Sequence, residues 1–145
     1  MDNNREKILN VGFMNICGQT GLGKAKQVQI ESFLITQHLD ILHLQEIHVD
    51  EDSFSVCDKI SSSYNIISNN AASKYGTETL VKSELVPENI LMDTQGRAIV
   101  FNIGSLTLSN LYLPSGTDGT SRAQRENYFS EIIPQLLLNR LDLVS

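Results

Sequence analysis

Apolar positions follow three rhythms along this chain, and each rhythm predicts a different element. "KILNVGFMNI" (Lys7–Ile16) is a short mixed apolar run that ends in a Gly-rich turn, the pattern of a buried strand. From Ala25 to His38 the spacing changes. Val28, Ile30, Phe33, Leu34 and Ile35 recur near helical intervals, with Lys26, Gln27, Gln29 and Glu31 between them, which predicts an amphipathic helix. "DILHLQE" (Asp40–Glu46) is again a short apolar run, closed by polar residues. Strand, helix and strand make a βαβ unit whose two strands should be parallel neighbours.

The remainder is mostly strand-like. "DEDSFSVCDKISSS" starts acidic and carries Phe54, Val56, Cys57 and Ile60, suggesting a short helix, and "YNIISNN" reads as a strand. "ETLVKSELV", "ENILMDTQGRAIVFNI" and "SLTLSNLYLP" alternate or run apolar, and turn signals at Thr94–Gly96 and Gly104–Ser105 predict a pair of hairpins. In "SRAQRENYFSEIIPQLLLNRLDL", Tyr128, Phe129, Ile132, Ile133, Leu136 and Leu137 form a helical stripe with Ser121 as its N-cap. Pro134 must be tolerated within that helix or kink it. The sequence has no internal repeat and no low-complexity linker, so one α+β domain spanning residues 1–145 is the simplest organisation. The pattern stops directly after a helix, with no strand following "LDLVS".

Composition changes this picture only in part. With 41% hydrophobic and 19% charged residues, the 145-residue chain is globular in type and long enough for a sizeable core. No apolar run reaches the roughly 18 residues that cross a bilayer, and "MDNNREK" is not a secretory leader. An intracellular protein without membrane contact is expected. Cys17 and Cys57 have no zinc-type spacing and read as reduced thiols. The net charge of −6 disfavours nucleic-acid packaging by bulk electrostatics, although an enzyme that meets phosphate through a divalent cation needs such carboxylates.

Gly18 to Lys24 spell GxxxxGK directly after the first strand, which invites a phosphate-binding P-loop. The next residue is Ala25, where such a loop needs a hydroxyl for Mg²⁺, and the β-rich remainder is not an alternating βα series. Gly18, Gly21 and Gly23 are therefore read as a flexible turn. A non-catalytic nucleotide-binding or protein-interaction module using this loop stays as the alternative. The other constellation lies at strand ends. Asn15 closes the first strand, Glu46 the second, and Tyr112 with Pro114 the last, so adjacent strands would gather them at one sheet edge. Mg²⁺ asks for one or two carboxylates and otherwise keeps water or substrate phosphate, work for which Glu46 is placed.

"MNICG", "HLDILHLQEIHVDE", "QGRAIVFNIGSLTLSNLYLPSG" and "SRAQRENYFSEI" together resemble the N-terminal half of the endonuclease/exonuclease/phosphatase, or DNase I-like, superfamily, from about Ile8 to the end. The nearest flavour is that of non-LTR retrotransposon and apurinic-type endonucleases, carried by "LQEIH" and by "YLPSG" before an Arg-containing helix. The resemblance implies a four-layer α/β/β/α sandwich of which only the N-terminal half is present. It makes Glu46 the metal-binding glutamate, for Mg²⁺ or Mn²⁺ in its place. Asn15 becomes the asparagine supporting the phosphate and metal region, and Tyr112 the tyrosine beside the scissile phosphate. Ser115 stands where the family often has an asparagine, and Cys17 where some members have a second acidic or amide residue. His48 is a substrate-contact candidate, whereas His38 and His43 read as ordinary polar residues. DNA is the implied substrate, and a nuclear location follows for a retrotransposon enzyme. The GDxN motif, which supplies the base, and the SDH motif, whose histidine stabilises the transition state, do not occur in this sequence. The expectation is the N-terminal portion of a DNA endonuclease, inactive as it stands.

Overall fold

The computed structural model describes residues 8–16, 23–47, 62–69, 76–113, 119–136 and 138. All but residues 62–63 of the helix predicted within 50–63, and Cys17, Cys57, Gly18, Gly21, His48, Pro114, Ser115 and Leu137, lie outside the described residues. β1 (Val11–Asn15), α1 (Gly23–Thr36) and β2 (Ile41–Gln45) form the βαβ unit, and β1 and β2 pair in parallel from Val11↔Ile41 to Asn15↔Gln45. β3 (Tyr64–Asn69) and β4 (Thr77–Lys82) add antiparallel, giving a four-stranded sheet of order β1-β2-β4-β3. β5 (Glu88–Met92), β6 (Ala98–Ile103) and β7 (Leu106–Leu111) make a second sheet, a three-stranded antiparallel meander. Its tight β6–β7 turn uses Gly104 at φ 57, a backbone state that L side chains rarely adopt.

Strand alternation explains the layering. In β2, Leu42 and Leu44 pack with Ile30 and Leu34 of α1, while Ile41 points the other way and packs with Ile99 and Phe101 of β6. Ala98 and Val100, the alternate residues of β6, pack with Tyr128 and Leu136. Both strands are thus buried on two faces, which accounts for apolar residues at successive positions, Ile41–Leu42 in one and Ala98 to Phe101 in the other. The layers run α1, first sheet, second sheet, C-terminal helix: the α/β/β/α order. β7 lies against β2 and β4, and β6 against β3 and β4. Phe13, on the outer strand β1, stays 60% exposed.

Local signals account for the helices and for where they depart from expectation. α1 ends in a Schellman motif: Leu39 N–H donates to Leu34 O (3.0 Å), His38 N–H to Ile35 O (3.2 Å), and His38 takes φ 50 in place of the usual glycine. Gly12 permits the close helix–strand contact, because a Cβ there would lie 2.7 Å from Leu39 Cδ1. The α1 stripe is narrower than its sequence suggests. Ile30 and Leu34 are buried, but Val28 and Ile35 are each 63% exposed, on the far side of the helix. α2 (Gly119–Asn127) starts two residues before Ser121, so Ser121 lies in its first turn and not at the cap. The chain continues as a π-helical segment, Tyr128–Ile132, with Ile133 N–H bonded to Tyr128 O. That widened turn carries the helix through Pro134, which has no N–H to donate and whose ring displaces the carbonyl four residues back. Tyr128, Ile132, Ile133 and Leu136 face the sheet, whereas Phe129 is 48% exposed. No helix among the described residues is long and apolar enough to cross a membrane.

Candidate active site

The three strand-end residues meet, but not at one sheet edge. Tyr112 follows β7, and the short Gly104–Ser105 turn keeps β7 beside β6 in the second sheet. Asn15 and Glu46 follow from β1 and β2 of the first sheet. The sheets stack so that these ends share one mouth. There the Tyr112 hydroxyl donates to Glu46 Oε1 at 2.6 Å, and Asn15 Nδ2 donates to the same oxygen at 3.0 Å. The short phenol contact is in the range of a hydrogen bond to an ionised carboxylate. Glu46 holds this position with φ 55, a left-handed backbone uncommon for a long side chain and of the kind that gathers at functional sites.

A buried polar lattice behind the mouth fixes the distance between the sheets. Asn110 of β7 reaches across with Nδ2 to Leu44 O (3.1 Å), Glu78 O (2.9 Å) and Thr79 Oγ1 (3.3 Å), while its Oδ1 accepts from Gln45 Nε2 at 3.0 Å. Gln45 immediately precedes Glu46 and Asn110 lies two residues before Tyr112, so this lattice sets where Tyr112 and Glu46 leave their strands. His43 bonds Thr79 through Nδ1 at 2.9 Å and stacks near Phe13 and Phe101, with ring centroids 4.9 and 6.2 Å away. Only 1% exposed, it is a core residue and not the ordinary polar residue expected of it. His38 is exposed at the α1 terminus, outside this cluster.

A second group, of which the sequence pointed only to Tyr128 and only as part of a helical stripe, supports Tyr112 from behind. Asp93 Oδ1 accepts from Arg97 N, Ala98 N and Asn69 Nδ2 at 2.9 to 3.0 Å, and its Oδ2 accepts from the Tyr128 hydroxyl at 3.1 Å. Arg97 Nη1 donates to Tyr112 O at 3.0 Å, and the guanidinium lies 5.3 Å from the Tyr112 ring centre. The only advance signal for Asp93 and Arg97 was the turn motif "DTQGR", which marks where they come together. On the solvent side of α2, Arg122, Arg125, Glu126, Phe129 and Ser130 line an open hollow of about 650 Å³.

The donor set fits one kind of metal. A carboxylate and an amide suit a hard cation that keeps most of its water, as Mg²⁺ does, and among the described residues no sulfur or imidazole joins them as zinc would ask. Among the described residues no three His, Cys, Asp or Glu side chains converge to cage an ion.

Two buried titratable groups make stability depend on pH in opposite directions. Burial lowers the His43 pKa to about 4, so its contribution is lost as pH falls below 6.5. Burial raises the Glu78 pKa to about 7, partly countered by a hydrogen bond from Ser68. Glu78 is 3% exposed and its Oε2 has no hydrogen-bond partner among the described residues. Its folded pKa lies above the unfolded value of 4.5, so the folded state holds the extra proton and loses stability as pH rises from 4.5 to about 7. Glu78→Gln should therefore gain on the wild type by on the order of 1 kcal/mol per pH unit across that window, with no further gain above it. Chemical melts of both proteins across the window check this. A difference independent of pH would mean that Glu78 is charged in the fold.

The architecture is that of a DNase I-like protein of the endonuclease/exonuclease/phosphatase type, in partial form. The chain is similar to the 3′ phosphatase NExo from Neisseria, a structure bound to a product DNA hairpin, with TM-score 0.73 and 18% identity over 93% of this chain and 53% of that one. It is similar to an AP endonuclease from Archaeoglobus fulgidus (TM-score 0.67, 18% identity, 83% of this chain and 48% of that one). It is also similar to TDP2 from C. elegans (TM-score 0.65, 27% identity, 88% and 42%). The chain thus spans about half the length of these proteins. No protein-family model and no curated protein matches it.

Proposed function

We propose that this chain is the N-terminal half of a Mg²⁺-dependent enzyme that hydrolyses DNA phosphodiesters. The observation that carries the reading is the meeting of Asn15, Glu46 and Tyr112 on one carboxylate oxygen at the mouth between two sheets of DNase I-like order. In this reading Glu46 holds the cation, which Mn²⁺ replaces in vitro. Asn15 and Tyr112 orient the carboxylate and then face the phosphate, with Ser115 and His48 as further substrate contacts. Bound Mg²⁺ would supply charge stabilisation to the phosphate oxygens. DNA processing by the similar proteins supports DNA as substrate. "LQEIH" and "YLPSG" favour a retrotransposon endonuclease as the parent, hence a nuclear site of action.

The half-domain reading draws on the sheets themselves. β1 and β7 have no described strand on their outer edges, and Phe13 of β1 and Leu106 of β7 are 60% and 50% exposed. Strands of a second half would pair with these edges and cover the apolar surface. The test joins this chain to a DNase I-like C-terminal half carrying GDxN and SDH. Mg²⁺-dependent nicking of plasmid or abasic DNA by the joined protein is expected, and a folded but inert product would overturn the assignment.

A further inference from the structure

Arg97 is the most deeply buried cation among the described residues, with 3% exposure, and its described side-chain hydrogen bond and ring contact both lead to Tyr112. Its place in the fold explains why. The β6–β7 ladder ends at Ala98↔Leu111, so Tyr112 sits one step beyond the last paired residue. The same register carries one more backbone bond there, from Tyr112 N–H to Arg97 O, and no strand pairing is described past it. Arg97 holds Tyr112 at three places. Its carbonyl accepts from Tyr112 N–H at 2.8 Å, its Nη1 donates to Tyr112 O at 3.0 Å, and its guanidinium lies 5.3 Å from the ring centre.

Arg97 is itself held. Its backbone N–H is bonded to Asp93 Oδ1, and Asp93 is anchored in turn by Asn69 and Tyr128. A continuous line of hydrogen bonds and ring contact therefore runs from Tyr128 through Asp93 and Arg97 to Tyr112 and ends on Glu46. Burying a guanidinium is costly, and a well-packed apolar side chain would fill the same space at least as stably. A planar cation with forked donors does what an apolar residue would not: it fixes a carbonyl and a ring face together.

We propose that Arg97 is a positioning residue, which holds Tyr112 so that its hydroxyl reaches Glu46 Oε1. The inference rests on the reading of Tyr112 and Glu46 as the working pair of the site. It extends that site to a residue that touches neither the cation nor the substrate.

The test is spectroscopic and needs no turnover. The 145-residue chain is labelled with ¹³C at tyrosine Cζ, and among its four tyrosines the Tyr112 signal is assigned by its loss in Tyr112→Phe. Glu46→Ala defines the shift of a Tyr112 hydroxyl released from its carboxylate. Arg97→Met, which keeps an apolar stem without the guanidinium, should move the Tyr112 signal at least half way to that value while the Tyr64 signal stays in place. Arg97→Lys, with the charge on a single donor nitrogen in place of the planar fork, should fall between wild type and Arg97→Met. A Tyr112 signal unmoved in folded Arg97→Met overturns the proposal. If Arg97→Met does not fold, Arg97→Lys decides: a displaced Tyr112 with unmoved Tyr64 supports positioning, and an unmoved Tyr112 refutes it. Because neither DNA nor metal is present, an inert joined enzyme would leave this result intact, and an unmoved signal would leave the hydrolase reading intact.

Discussion

Glu46→Gln in the joined, nicking-competent protein is expected to cost at least about 10²-fold in Mg²⁺-dependent rate, the scale of losing one preorganised electrostatic group. The substitution keeps the length of the side chain and an oxygen able to accept from Tyr112 and Asn15, so the fold has little reason to change. What disappears is the negative charge that a hard cation requires. The same experiment on the 145-residue chain alone should show no turnover above background. General acid–base groups each contribute roughly 10²–10⁴-fold, and the motifs that would supply base and histidine are not in this sequence. Misfolding would also silence the isolated chain, so circular dichroism and a melting transition belong on the same sample. Robust nicking by the 145-residue chain, lost in Glu46→Gln, would show that the half-domain reading is wrong.

Phe101→Ala should bring the chain close to global unfolding. The ring is fully buried between the sheets with Ile41, Ile67, Val81 and Ile99, and it packs near His43. Removing a buried aromatic costs about 3–5 kcal/mol through lost transfer energy and the cavity left behind. Small domains hold only about 5–15 kcal/mol in total, so this loss is a large share of the whole. Leu106→Ala, on the half-exposed rim of the same strand pair, should change stability by no more than about 0.5 kcal/mol. Urea titrations of the two variants separate these outcomes. Equal midpoints would mean that the inter-sheet layer is not the core.

Much of the fold was legible because periodicity and turn chemistry are local. The parallel β1–β2 pair followed from two apolar runs flanking a helical spacing, and the hairpins followed from Thr94–Gly96 and Gly104–Ser105. Which strands share a sheet was not legible, since that depends on packing between distant segments. Tyr112 was therefore expected on the same sheet edge as Glu46, although it arrives from the facing sheet. Single polar residues inside strands misled in the same way. His43 read as an ordinary polar residue, and Asn110 and Asn69 drew no notice, yet all three are buried: His43 bonds Thr79 on the neighbouring strand, and Asn110 and Asn69 bond from one sheet to the other. Val28 and Ile35 erred in the opposite sense, being apolar by type and exposed in position. Glu46, Asn15 and Tyr112 were visible through the short motifs that end their strands. Arg97 was hidden because an arginine after a turn glycine normally reads as solvent-exposed.

The left-handed backbone of Glu46 has a consequence for the sequences this fold can drift toward. A glycine or asparagine relaxes that conformation, and glycine is a single nucleotide change from either glutamate codon. Selection of variant libraries for folding alone should then enrich such replacements at position 46, whereas selection for the hydrolytic site should keep the acid. The residue that best marks the proposed chemistry is thus also among the first that a purely structural selection would discard.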